Sequence, residues 1–577
     1  MGVRRGPLRL LAVLLLLLVL VTPPLGSSAD DGPEPADPFG PPEGPIPFPI
    51  MNVSSSYEED RFPTVYADEE TLHVIWNKGA RDMFVYHVVQ REFDGQEWQE
   101  GEDWVSVDDT KDQDPVAHEH YSHEGTAIRF NDLIYFAFAS DDPSYTNGTE
   151  HDIVLRTYDP DTGTWGPIIE VTPKDEYQDR EPRLAVFQDR LVIAWRTNDP
   201  GKAEGTDEDL VMRTYDGAAF SDIVPISPDE DGYIDAKLDM VVAQGRLAMT
   251  WQFNNRTNGA SDWDVLFREW NGTGWTSRPV AVSPDPSRVA KLPRMDTLAG
   301  EPFIVWESRP AAGQVGAVGI RARVMHGTQP GKMVEVTRPG STSENVQPEV
   351  VTAGGKAYIL WSSFDDSLTH GADSDIVMVE YDGEELGDLV EVSHPNDGPK
   401  VNEGFVVACV FQDNLYAVWR MIYPVDPSLP LDVPINEDIV MRRVTDFLVE
   451  VEVLLDVNPV IDGEIPLQVT VSTFWGAPVD PRDMGISLSV LRGNTVLPDE
   501  VELVHDGNGV LLGSFVPESK GSYTFVVKME SREVASTSVN VLGPTTSDEG
   551  SNYYIYYTLG ALALFAVALI IGLSKKR

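Results

Sequence analysis

The chain has 577 residues, with 93 Asp and Glu against 43 Lys and Arg, for a formal charge of -50. Such a field repels nucleic acid and anionic lipid, which excludes both as partners of the bulk of the protein. A single cysteine, Cys409, excludes an intramolecular disulfide, so stability has to come from packing.

Residues 1–29 carry Arg4, Arg5 and Arg9, then the apolar run Leu10 to Val21, then Ser27-Ser28-Ala29. This is the pattern of a secretion signal cut after Ala29. Residues 30–48 are rich in Pro, Gly and acids and read as a linker. From residue 49 to 446 one sentence is written seven times. An apolar strand ends in an aromatic at Trp76, Phe138, Trp195, Trp251, Trp306, Trp361 and Trp419. An inner strand precedes it, starting near a proline in four copies (Pro63, Pro182, Pro293, Pro348). A third strand follows on one template, as in Asp152-Ile-Val-Leu-Arg156, Asp209-Leu-Val-Met-Arg213 and Asp438-Ile-Val-Met-Arg442. A fourth ends in Val/Ile-Ser/Thr, as at Val105-Ser106, Val171-Thr172 and Ile226-Ser227, after Asp-Gly or Asn-Gly turns that tolerate positive φ. A period of roughly 55 to 65 residues with four strands predicts a β-propeller.

The last repeat stops after its third strand, while Ile50 to Ser54 has the ending of a fourth. The expected fold is therefore all-β: a seven-bladed propeller closed by its N-terminal strand, which leaves no open edge. Residues 447–542 follow as alternating runs such as IPLQVTV and SYTFVVKM, predicting an immunoglobulin-like β-sandwich that serves as a stalk. Residues 543–552 are a polar hinge. Residues 553–574 are apolar and long enough for one transmembrane helix, with Lys575, Lys576 and Arg577 as a cytoplasmic tail. The expectation is a single-pass protein with an extracellular ectodomain, suited to an archaeal or bacterial surface. Asn52, Asn147, Asn255 and Asn271 open Asn-x-Ser/Thr triplets and are candidate glycosylation sites.

Strand alternation places the fourth-to-inner crossovers on the face pointing away from the membrane. Fifteen residues ahead of each aromatic stand Arg61, His123, Arg180, Ala236, Lys291, Val346 and Gly404. Nearby are Tyr57, Tyr121, Tyr177 and Tyr233, and the acids Asp60, Asp179 and Asp235. A rim of cations, acids and aromatic platforms suits sugars, whose C–H faces stack while hydroxyls and carboxylates bond. The same groups can equally serve as ion pairs and packing between adjacent sheets. Acidic loops at Asp141-Asp142, Asp199 to Asp209 and Asp365 to Asp373 offer oxygen ligands for Ca²⁺ but no defined register, and His118, His120 and His123 lack a helix to align them. No metal or other cofactor is called.

The repeat resembles the sialidase-type and BNR-repeat propellers over about residues 49–446. Arg61-Phe62-Pro63 is similar to the motif whose arginine helps hold a carboxylate in that family, and the hairpins Asp94 to Trp98 and Asp161 to Trp165 lie where Asp-box turns occur. The full box is missing, seven repeats replace six, and no motif selects a nucleophile and proton donor. The resemblance implies a fold and, as an activity, a sialidase-like exo-glycoside hydrolase. The reading favoured from the residues is a surface-anchored binding protein for glycans or a protein partner, with that hydrolase and a structural surface-layer component as alternatives.

Overall fold

In the computed structural model the described residues are 50–542, apart from 55–58, 80–85, 107–121, 203–206, 228–232, 256–262, 312–313, 315, 338–342, 366–372, 394–400, 425–434, 445–447, 455–458, 473–480, 482–485, 494, 498–500, 508 and 530–531. They are all-β, with no helix among them. The signal-peptide, linker, hinge, transmembrane and tail segments lie outside them.

The repeats fold as antiparallel four-stranded sheets in sequence order. One sheet, for example, runs Asp179–Phe187, Arg190–Thr197, Asp209–Tyr215 and Val224–Pro225. The first and last repeats share one eight-stranded sheet, joined by a parallel pair between Glu59 and Glu437. The inner strands are Glu59–Ala67, Ser122–Phe130, Asp179–Phe187, Tyr233–Ala243, Arg288–Leu298, Asn345–Ala353 and Asn402–Phe411. Each touches the next, and the last returns to the first, so the sheets close as a β-propeller ring.

Packing explains the aromatic of each repeat. Trp76, Phe138, Trp195, Trp251, Trp306, Trp361 and Trp419 are all fully buried, in apolar clusters that each span two neighbouring repeats. An indole N–H so placed needs an acceptor. Asp60, Asp179, Asn345 and Glu403 supply it at 2.8 to 2.9 Å, and Asp235 does so for Trp251.

Two further devices recur. The Ser/Thr that ends the fourth strand accepts an N–H of the third, from Ser106 at 3.1 Å to Ser393 at 3.0 Å. The third-strand arginine reaches back to a fourth-strand carbonyl of the preceding repeat, as Arg156 to Val105 at 3.2 Å, Arg213 to Val171 at 2.7 Å and Arg442 to Val392 at 2.7 Å. Hairpin aromatics cover these guanidiniums: Trp98 over Arg91, Trp165 over Arg156 and Trp275 over Arg268.

The N-terminal segment takes the missing fourth-strand position. Met51 and Asn52 pair with Met441 and Val440, Ser54 Oγ accepts Ile439 N–H at 2.8 Å, and Arg91 reaches Val53 O at 2.9 Å. Each contact reproduces one made by a true fourth strand.

Beyond the ring, two four-stranded sheets share one core. They contain Ile465–Ser472 and Val510–Phe515 on one side, and Ile486–Arg492 and Gly521–Met529 on the other. Leu467, Val469, Leu488, Val490, Phe525 and Val527 alternate inward between them.

Candidate functional site

Every inner strand is broken by the same bulge. Register shifts between the residues fifteen and twelve before the aromatic, as between Arg61 and Thr64 or between Arg180 and Arg183. The residue just inside it is left-handed in all seven repeats: Phe62, Glu124, Glu181, Lys237, Leu292, Gln347 and Phe405, with φ of 49 to 61°. Such a conformation costs a non-glycine residue roughly 1 kcal/mol or more. The preceding repeat offsets it by accepting the bulge N–H. Glu124 takes Glu181 N–H at 2.6 Å, Glu181 takes Lys237 N–H at 2.9 Å, Glu307 takes Gln347 N–H at 2.8 Å and Gln347 takes Phe405 N–H at 2.8 Å. The crossover end of the ring is thus a rigid collar.

The rim acids are placed elsewhere than expected. Asp60, Asp179 and Asp235 are at most 1% exposed, with their carboxyls on the tryptophan N–H groups inside the sheets. They are structural acceptors and do not line a rim. Arg61 is likewise engaged: it forms a two-pronged pair with Glu437 at 2.7 and 2.8 Å and a bridge to Glu59 at 3.0 Å. Lys291 lies over Trp263 at 4.9 Å, and burial lowers its proton affinity. Tyr233 packs on Phe253 with centroids 4.9 Å apart, while Tyr177 is half-buried. Tyr57 and Tyr121 lie outside the described residues, as do His118 and His120.

His123 and Arg180 do come together, through a residue the sequence reading passed over. His151, just ahead of the third strand of the second repeat, stacks edge-on against His123 at 4.8 Å. Arg180 Nη2 stands 3.4 Å from His151 Nδ1. His123 Nδ1 is 3.4 Å from Glu124 Oε2. Burial, with His123 and Arg180 alongside, pushes His151 down to about 3, so its ring is neutral. Burial opposes the charge on Glu124, yet His123 and Lys237 hold it below the usual carboxylate range. Glu181 completes the chain, bridging to Lys237 Nζ at 2.6 Å. Arg180 has no carboxylate within ion-pair distance among the described residues, and its Nε is buried without a hydrogen-bond partner. Among the described residues the result is a cluster of two imidazoles and a guanidinium without a carboxylate partner, at the collar of an acidic protein.

Below the collar, Arg183, Asp239, Arg294 and Glu349 hold equivalent positions in successive repeats, and residues several repeats apart act on one another. Arg294 bridges Glu349 at 3.1 Å, and burial pushes Glu349 up to about 7. Among the described residues no group of three or more His, Cys, Asp or Glu is arranged to hold a metal ion. Of the glycosylation candidates, Asn52, Asn147 and Asn271 are exposed. Asn271 caps its own turn through Thr273 N–H and Gly274 N–H, both at 2.9 Å, and the Asn255 side chain lies outside the described residues.

No family model and no curated protein matches the chain. Among solved structures, a Penicillium chrysogenum α-L-arabinanase complexed with arabinobiose is similar at 11% identity, over 68% of this chain and 98% of that one, with a TM-score of 0.38. A Trypanosoma rangeli sialidase in complex with 2,3-difluorosialic acid matches at 11% identity, over 86% of each chain, with a TM-score of 0.37. The polysaccharide lyase Uly1 matches at 10% identity over 72% and 94%, with a TM-score of 0.42. The likeness is one of fold, to sialidase-type and related β-propellers.

Proposed function

We propose that this chain is a cell-surface binding protein. A seven-bladed propeller on an immunoglobulin-like stalk, held by the C-terminal span, presents its crossover face outward to a glycan. The observation that carries the reading is the cluster at Arg180. Other inner-strand cations, Arg61, Lys237 and Arg294, each have a carboxylate within 3.1 Å, while among the described residues Arg180 meets a neutral imidazole and no carboxylate. A guanidinium kept in that state is available to a ligand carboxylate or hydroxyl, and the imidazoles add donors beside it. Hydrolysis is the alternative; it has less support because no motif selects a nucleophile and proton donor, and Asp60 and Asp179 are held as tryptophan acceptors.

The test is a glycan array with the purified full-length chain, followed by thermal shift on the hits and on the Arg180→Ala variant. Carboxylate-bearing sugars should bind and stabilise the wild type, and Arg180→Ala should weaken them at least tenfold with little change in its own melting temperature. Equal binding by the variant, or no hit at all, overturns the reading and leaves a protein partner or a structural surface role. Product formed from a hit would revive the hydrolase.

A further inference from the structure

At two adjacent junctions of the ring one hydroxyl stands between two buried carboxyl groups. Between the second and third repeats, Thr172 accepts Ile153 N–H at 3.0 Å and donates to Asp152 Oδ1 at 3.1 Å, and Asp179 of the next repeat lies alongside, its N–H on His151 O at 2.8 Å. Between the third and fourth, Ser227 accepts Leu210 N–H at 3.0 Å and donates to Asp209 Oδ1 at 3.2 Å, and Asp235 lies alongside, its N–H on Glu208 O at 2.8 Å. The closing junction is built alike, with Ser54 on Ile439 N–H and on Asp60, and Asp438 at the corresponding third-strand position.

A hydroxyl has one proton to give. The indole of Trp195 supplies a second donor to Asp179, yet two ionised carboxylates would still leave oxygens without a donor in a dry interface. The shortage is visible at the first junction. Asp152 and Asp179 are 1% and 0% exposed, and the Oδ2 atom of each is buried without a hydrogen-bond partner.

Nearby cations do not make up the difference. Lys202 faces Asp179 but is already held by Asp175 at 3.0 Å and by Asp199, and Asp175 in turn faces Asp152. Among the described residues, Asp209 and Asp207 both raise the proton affinity of Asp235.

We propose that these junctions are proton-sharing latches, in which one extra proton per carboxyl pair bridges adjacent blades and the ring is closed most firmly in acidic surroundings. Proton affinity agrees in direction. Burial pushes Asp60 and Asp152 up to about 7 and Asp179 up to about 6, and it holds Asp235 well above its usual value. Each folded-state affinity exceeds that of the free acid. The stability from each pair is therefore full below the ordinary value of 3.8 and is lost as pH rises through about 6 to 7. Exposed turn acids such as Asp94, Asp216 and Asp382 are shifted downward, so their contribution changes only at lower pH.

Thermal unfolding of the full-length chain between about pH 4.5 and 8.5 tests this, with Asp152→Asn and Asp235→Asn as variants whose amides donate at every pH. The wild type should melt progressively lower as pH rises through neutrality. Each variant should be less pH-dependent, its unfolding equilibrium losing up to about a tenfold change per pH unit, and should match or exceed the wild type at pH ~8. A wild type that is flat or more stable toward high pH, or variants that run parallel to it, would falsify the latch. Should the variants not fold, the wild type alone decides by the infrared band of protonated carboxyls, which must be present at pH ~6 and fade toward ~8. Absence of that band overturns the proposal. So does recovery of the high-pH melting temperature on adding millimolar Ca²⁺ at constant ionic strength, which would put a metal cation where the proton is placed.

Discussion

At the scale of single residues, position within the bulge separates structural groups from those open to a ligand. Asp60 and Arg61 are neighbours in sequence, yet one is an indole acceptor inside the sheet and the other an ion-pair partner between the first and last repeats. Arg61→Ala should cost about 2 kcal/mol of stability, because it strands a nearly buried Glu437. Arg420, 3.3 Å from the same carboxylate, limits the loss. Chemical denaturation would read this, and an unchanged midpoint would mean that the pair does not help close the ring. Arg180→Ala should be the opposite case, almost silent for stability and damaging for binding. His151 was missed because nothing in its local sequence marks it, and only the pairing of strands within the second repeat, His123 opposite Ala139 and Ala139 opposite Ile153, carries it to His123.

At the scale of elements, the closing strand has the most to lose. It is two residues long by pairing, and beyond the Val53 and Ser54 N–H bonds to Ile439 O, at 2.9 and 3.1 Å, the Ile439 N–H is satisfied, among the described residues, by the Ser54 hydroxyl alone. Ser54→Ala should therefore destabilise the ring by roughly 1 to 2 kcal/mol, the usual cost of orphaning a buried N–H. The matching change at Ser106 in an interior repeat should cost a similar amount without opening an edge. Limited proteolysis separates the two, since only Ser54→Ala should expose the segment before residue 59 to cleavage. Equal protection in both variants would count against the closure. The sixth repeat is an internal control: Val379 stands where other repeats carry an arginine, so its junction lacks the backward reach to the preceding sheet.

At the scale of the whole molecule, charge is the dominant fact. A formal charge of -50 repels itself across the folded surface, and mobile ions screen that repulsion over about 10 Å at 0.1 M and 3 Å at 1 M. The melting temperature at neutral pH should rise when NaCl goes from about 0.01 to 1 M. A fall would show that specific pairs such as Arg61–Glu437 outweigh the general field. Salt and acid should act in the same direction, one by screening the surface and the other by protonating the junctions.

Much of the architecture was legible in the sequence. The aromatic strand endings, the Ser/Thr endings and the third-strand template repeat because each repeat solves one packing problem, and a truncated last copy with a surplus first strand implies closure. The site was legible only in part. The residue before a proline is ordinarily driven toward extended backbone. The left-handed turns at Phe62, Glu181, Leu292 and Gln347, which aim the neighbouring side chains, therefore leave no local signature. Composition and spacing set the fold, because burial periodicity is a property of a single strand. Which acids became indole acceptors, which arginine among the described residues has no carboxylate partner and which carboxyls met at the junctions were decided in the tertiary structure, because each depends on the distance between side chains of different strands or different sheets.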